Sequence, residues 1–172
     1  MKIGLVGTMS VGKTTLAKAL GETDRFKDHS VQTERSKYLR DLGIPLNTDS
    51  TLKGQFVFLA ERASELFHDN IITDRTIWDV AAFTLSAKSI KDWEKRDFVS
   101  AAMHLREQYD VVIYVSPDGV NVEDNGIRET DVEYRKKIDI VIKMLLEEYK
   151  PTKLITVSGT TEQRIATILQ NI

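Results

Sequence analysis

Short, nearly continuous apolar runs alternate along this chain with longer stretches in which apolar residues recur every three or four positions. The runs at 2–6, 70–74, 110–115 and 153–157 predict buried strands, and a weaker run at 30–34 predicts one more. Leu52, Phe56, Leu59, Ala63 and Leu66 share one face of a helix over 51–68, and Tyr134, Ile138, Val141, Leu145 and Tyr149 share one face of a helix over 131–149. Further helices are expected after residue 14 and at 76–87, 92–108 and 161–171. Pro45, Pro117 and Pro151, the three prolines, each stand beside a predicted boundary. Strands that are apolar on both faces and separated by helices imply a parallel sheet covered on both sides. The expectation is therefore an α/β fold with five parallel strands in one domain over 1–172, whose functional groups gather at the carboxyl ends of the strands.

Composition narrows the setting. A chain of 172 residues suffices for a domain with a real core. A net charge of −2 argues against nonspecific coating of nucleic acid. With no cysteine there is neither a disulfide nor a thiolate zinc site, and His29, His68 and His104 have no metal-ligand spacing. The first residues enter a strand with no leader pattern, and no apolar run suits a bilayer span, so a cytoplasmic protein without membrane attachment is expected.

Residues 7–14 read Gly-Thr-Met-Ser-Val-Gly-Lys-Thr, a full match to the phosphate-binding pattern G-x-x-x-x-G-K-[ST]. Its context is the one the mechanism needs: a strand before, a helix start after. Such a turn aims backbone N–H groups at a polyphosphate. Gly7, Ser10, Val11, Gly12, Lys13, Thr14 and Thr15 are the expected cradle for ATP, with Lys13 on the β/γ-phosphates and the Thr14 hydroxyl on Mg²⁺.

The other strand ends carry charge. Asp74 closes the run at 70–74 and suits either Mg²⁺ or the role of proton acceptor, a role Glu34 contests; the bland alternative is a helix cap. Arg75 beside it suits a phosphate or carboxylate, or else a structural ion pair. Glu34 and Arg35 repeat the acid-base pairing at the end of the weak strand. Gln55 offers an amide that can read a nucleobase edge, whereas Lys53 and Arg62 read as surface charges. The polar segment after Asp118 holds Arg128 and, about two helical turns on, Arg135; both can neutralise charge on a transferring phosphoryl group. Thr130 or Asp131 is a plausible cap for the helix that follows. Trp78 and Trp93 are expected in helix packing. Ser86-Ala87-Lys88 looks like a guanine-reading triplet but stands mid-chain, and no Asn-Lys-x-Asp motif accompanies it, which argues against a GTPase.

Taken together, Gly7 to Thr14, Glu34-Arg35, Ile72-Thr73-Asp74-Arg75-Thr76, Asn125-Gly126-Ile127-Arg128 with Arg135, and Val157-Ser158-Gly159 resemble the P-loop kinases of nucleosides and nucleoside monophosphates. More narrowly, they resemble the AAA-type single-domain group that includes nicotinamide-riboside kinase domains and phage kinase-like ATPases. The resemblance implies that 118–135 is a lid with Arg128 as its arginine, and that Ser158, Gly159 and Thr160 border the adenine. Asp74-Arg75 is similar to the Asp-Arg pair of thymidylate kinases, whose arginine meets the acceptor. No cluster marks thymidine, guanine or nicotinamide. The expected activity is ATP- and Mg²⁺-dependent transfer to a nucleoside or nucleotide, with a monophosphate favoured because Arg35, Arg62 and Arg75 lie on the acceptor side. Competing readings are a nucleoside or nicotinamide-riboside kinase, a polynucleotide 5′-hydroxyl kinase, and an ATP-hydrolysing switch. The expected partner is a small molecule, not nucleic acid or a membrane, and either a monomer or a homodimer fits.

Overall fold

The computed structural model describes residues 1–33, 36–118 and 132–172. Five strands, β1 (Lys2–Val6), β2 (Ser30–Gln32), β3 (Ile71–Asp74), β4 (Val111–Val115) and β5 (Leu154–Val157), form one sheet in the order β2-β3-β1-β4-β5. Every pairing is parallel. Seven helices stand among the described residues: α1 (Lys13–Gly21), α2 (Ser36–Asp41), α3 (Leu52–Glu65), α4 (Ile77–Ser86), α5 (Asp92–Met103), α6 (Val132–Glu148) and α7 (Thr161–Asn171).

The alternation of strand side chains divides the core in two. Ile3 and Leu5 of β1 and Ile113 and Val115 of β4 pack with Leu16, Ala17 and Leu20 of α1 and Ile168 of α7. On the opposite face Val6, Val112 and Tyr114 pack with Ile77, Trp78 and Ala81 of α4 and Ile138 and Ile142 of α6. A smaller cluster of Leu39, Phe58, Val80, Phe98 and Ala102 joins α2, α3, α4 and α5 at the side. Strand order reverses between β3 and β4 around β1, so the crevice above the ends of β1 and β3 is the natural ligand position.

The predicted elements form, β1 and α7 over the expected residues and most of the others with shorter ends. The helix expected over 92–108 stops at Met103, and a separate 3₁₀ turn covers Arg106–Gln108. The helix expected over 51–68 ends at Glu65. Its inward face also differs from the expected stripe. Phe56 is half exposed, its ring edge against Phe98, whereas Gln55 and Arg62 are buried. Arg62 is thus not a surface charge: Glu65 and Glu61 flank its guanidinium, which makes burial tolerable. Trp78 is fully buried and donates its indole N–H to the Tyr149 carbonyl at 3.0 Å. Trp93, expected in packing, is 55% exposed on the outer side of α5. The lid expected over 118–135 falls mostly outside the described residues, as do Thr130 and Asp131; its last residues, 132–135, form the first turn of α6.

Candidate functional site

The loop between β1 and α1 is shaped by two glycines. A side chain on Gly7 would drive Cβ to 2.7 Å from the Val115 carbonyl oxygen, so β1 and β4 approach here only without one. Gly12 caps α1 with φ 83°, a left-handed conformation that glycine adopts without the Cβ penalty. Ser10 is also left-handed, at φ 59°. Lys13 folds back across the loop, donating to the Gly7 carbonyl at 2.6 Å and the Thr8 carbonyl at 2.8 Å.

Asp74 ends β3 next to this loop because β1 and β3 pair in register, Leu5 opposite Asp74. Its Oδ2 accepts a hydrogen bond from the Thr14 hydroxyl. Its Oδ1 is buried with no hydrogen-bond partner among the described residues, and so is the Ser10 hydroxyl. Asp74 is not the cap of α4: that role belongs to Thr76, which forms a reciprocal capping box with Asp79. Residues 9–14, Asp74 and Arg75 line one polar hollow. Arg75 holds φ 118°, donates its N–H to the Leu5 carbonyl at 3.2 Å, and lays its guanidinium 4.9 Å from the centre of the Phe83 ring. An L-residue persists at such a φ only where its surroundings over-determine it, a pattern that clusters at functional sites.

The hollow therefore has a buried carboxylate oxygen without a partner, a neighbouring hydroxyl, and backbone N–H groups at a helix start. That set fits Mg²⁺ bound to a polyphosphate: the ion takes one or two carboxylates and completes its shell with phosphate oxygens and water. No cluster of three acidic, His or Cys groups that would cage a metal alone exists among the described residues.

The remaining expected residues divide. Thr15 follows Thr14, exposed in the first turn of α1. Arg135 is buried in the first turn of α6, and its carbonyl accepts the Thr8 hydroxyl at 3.0 Å, which brings α6 against the loop. Burial lowers the Arg135 pKa, and Asp139 opposes that. Gln55 is buried in α3 and is not among the residues lining the hollow. Ser158, Gly159 and Thr160 lie exposed between β5 and α7; Thr160 caps α7, accepting the Gln163 N–H at 3.3 Å. Glu34, Arg35 and Arg128 lie outside the described residues.

Three residues that the sequence does not point to also shape the site. Asp79, fully buried, holds Gly7 N–H at 3.2 Å, Thr76 N–H at 2.8 Å and the Thr76 hydroxyl at 2.9 Å, and its Oδ1 lies 3.9 Å from Lys13 Nζ. Burial pushes the Asp79 carboxyl up, while Lys13, Arg75 and the two backbone amides pull it back. The Thr76-x-x-Asp79 spacing was a legible cap signal; its reach to Gly7 was not. Glu65 joins Arg62 at 2.6 Å to the Thr73 hydroxyl at 2.6 Å, just before Asp74. Burial raises the Glu65 carboxyl, with Arg62 and then Thr73 opposing. Arg164 of α7, 4% exposed, donates to the Val11 carbonyl at 2.7 Å. Nothing local in the last helix signals this contact across the chain.

The family model for AAA domains matches residues 2–164. A comparison with curated proteins gives no match. Among solved structures, the deoxyadenosine kinase of M. mycoides with bound dCTP is similar at TM-score 0.68 and 19% identity, covering 99% of this chain and 97% of that one. The same kinase with dCMP and dCDP gives TM-score 0.64 and 18% identity, with the same coverage. Thymidylate kinase from Ehrlichia chaffeensis gives TM-score 0.66 and 14% identity, covering 99% and 97%. The sheet, its helices and the loop are those of the P-loop nucleotide-kinase-like fold, and no described helix is long and apolar enough to cross a membrane.

Proposed function

We propose that this chain, which belongs to the AAA-domain family, moves the γ-phosphoryl group of ATP to a small nucleoside or nucleotide acceptor, a (deoxy)nucleoside 5′-monophosphate first among them. The observation that carries this reading is the meeting of Lys13, Thr14, Asp74 and Arg75 at one polar hollow. ATP lies with its phosphates on residues 7–15 and its adenine toward Ser158, Gly159 and Thr160. Lys13 contacts the β/γ-phosphates, and the Ser10 hydroxyl has an unused donor for a phosphate oxygen. Thr14 and Asp74 hold Mg²⁺, which when bound neutralises charge on the β- and γ-oxygens. Arg128 and Arg135 offset charge as the phosphoryl group moves, and Arg75 and Arg35 grip the acceptor, with Glu34 toward its nucleoside part.

A monophosphate acceptor attacks with an already anionic phosphate oxygen and needs no base: the new P–O bond forms as the bond to the ADP leaving oxygen breaks. One observation supports a nucleoside as the second reading. Arg62, part of the charge argument for an anionic acceptor, is buried against Glu65 and unavailable to a ligand. A nucleoside 5′-hydroxyl must lose a proton, and Glu34 or Asp74 accepts it.

The test is ATP consumption with Mg²⁺ against ribo- and deoxynucleosides, their 5′-monophosphates, nicotinamide riboside and a 5′-hydroxyl oligonucleotide, with Lys13→Ala as control. Stimulation by one small acceptor, lost in the control, supports the reading and names the substrate. Lys13-dependent hydrolysis indifferent to every small acceptor overturns it in favour of an ATP-driven switch, and stimulation by the oligonucleotide alone points to a polynucleotide kinase.

A further inference from the structure

We infer that Arg164 is a positioning residue of the phosphate loop, fixing and polarising the Val11–Gly12 peptide so that the Gly12 N–H is presented to a polyphosphate. The inference rests on the reading that the loop binds ATP phosphates. Arg164 reaches the loop from α7, 153 residues further along the chain, and its Nη1 donates to the Val11 carbonyl at 2.7 Å. The contact is tight: a Cβ built on Gly12 would lie 3.2 Å from the same nitrogen. The peptide bond between Val11 and Gly12 is trans, so its carbonyl and its N–H point in opposite directions. Holding the carbonyl from beneath turns the Gly12 N–H to the far side of the loop, away from the guanidinium. Gly12 also lines the polar hollow.

The electrostatics point the same way. Arg164 is buried, its Nε has no hydrogen-bond partner among the described residues, no carboxylate of those residues forms an ion pair with it, and burial lowers its pKa. A buried cation without an anion is costly, and such groups are normally paired. An anion on the other side of the peptide supplies that compensation through the aligned peptide dipole, as in any hydrogen-bonded chain at low dielectric. A guanidinium needed only to satisfy one carbonyl could be replaced by a neutral donor at no cost to anion binding. A guanidinium that readies the amide could not.

The experiment measures binding of MgATP and of inorganic tripolyphosphate by titration calorimetry to the full chain and to Arg164→Met, Arg164→Gln and Arg164→Lys, each verified as folded by circular dichroism. We expect Met and Gln to weaken both ligands about ten- to a hundredfold, the range for a lost charge-assisted hydrogen bond, and Lys to recover most of the loss. Wild-type affinity for tripolyphosphate in folded Arg164→Met or Arg164→Gln overturns the inference, because a purely structural residue would leave the folded protein's affinity untouched. If neither variant folds, the Gly12 amide proton of the wild type decides: a large downfield shift with tripolyphosphate supports the inference, and an unmoved resonance overturns it. If wild-type protein itself shows no Lys13-dependent binding of either ligand, the phosphate-loop reading fails, an outcome distinct from loss at Arg164 alone.

Discussion

Asp79 of α4 accepts the backbone N–H of Gly7 at 3.2 Å, joining the start of the phosphate loop to a helix 72 residues further along the chain. The same carboxylate caps α4 through Thr76 and lies 3.9 Å from Lys13 Nζ. Asp79→Ala takes the acceptor from three donors and removes the buried carboxylate 3.9 Å from the Lys13 ammonium. We predict a loss of about 3–5 kcal/mol, read by urea denaturation. Asp79→Asn retains an acceptor for Gly7 and should lose less. Equal, small losses in both variants would contradict a role for the charge.

Asp74→Asn keeps an oxygen for the Thr14 hydroxyl but removes the charge expected to hold Mg²⁺. Acceptor-dependent turnover should fall about 100-fold or more, with partial recovery as Mg²⁺ is raised. Its melting temperature should move little, since the side chain's neutral shape is conserved. Full activity at low Mg²⁺ would remove Asp74 from the site.

Glu65 makes a pH-dependent contribution whose sign follows from its raised pKa. Burial lifts the carboxyl above its ordinary value of 4.5, so the folded state holds this proton more tightly than the unfolded state does. The contribution is complete below pH 4.5 and is lost as pH rises through the folded-state value. Glu65→Gln cannot ionise, so the stability of wild type relative to Glu65→Gln should decline with rising pH over that window, with a slope of at most about 1.4 kcal/mol per pH unit. Denaturant midpoints of both proteins between pH 4 and 8 measure this, and a difference that grows in favour of wild type would contradict it.

The two tryptophans should separate sharply. Trp78 is fully buried under α6, and Trp78→Ala should cost about 3–5 kcal/mol. Trp93 is 55% exposed, and Trp93→Ala should fall within about 0.5 kcal/mol of wild type. Chemical denaturation of both variants checks the pair.

What the sequence disclosed and what it withheld divide along sequence distance. The phosphate loop was legible because eight contiguous residues and their flanks specify it. The strands at 2–6 and 110–115 were legible because both of their faces are apolar. Asp74 was found at a strand end, and the open question of whether it caps a helix was resolved only by Thr76 taking that role with Asp79. Arg62 reads as a surface charge because a charged residue at helical spacing gives no sign that Glu65 and Glu61 will bury it. Periodicity places Phe56 inward, yet α3 turns Gln55 and Phe58 inward instead. Arg164 and Asp79 act on the loop from 153 and 72 residues away, and no local pattern encodes such contacts.

Transfer of label from [γ-³²P]ATP, followed under single-turnover conditions with each 5′-monophosphate and nucleoside, tests the central claim most directly. The account predicts that label appears on the nucleotide or nucleoside acceptor in wild-type protein and that Lys13→Ala abolishes this. Label released only as inorganic phosphate, at a rate indifferent to the acceptor, would contradict it.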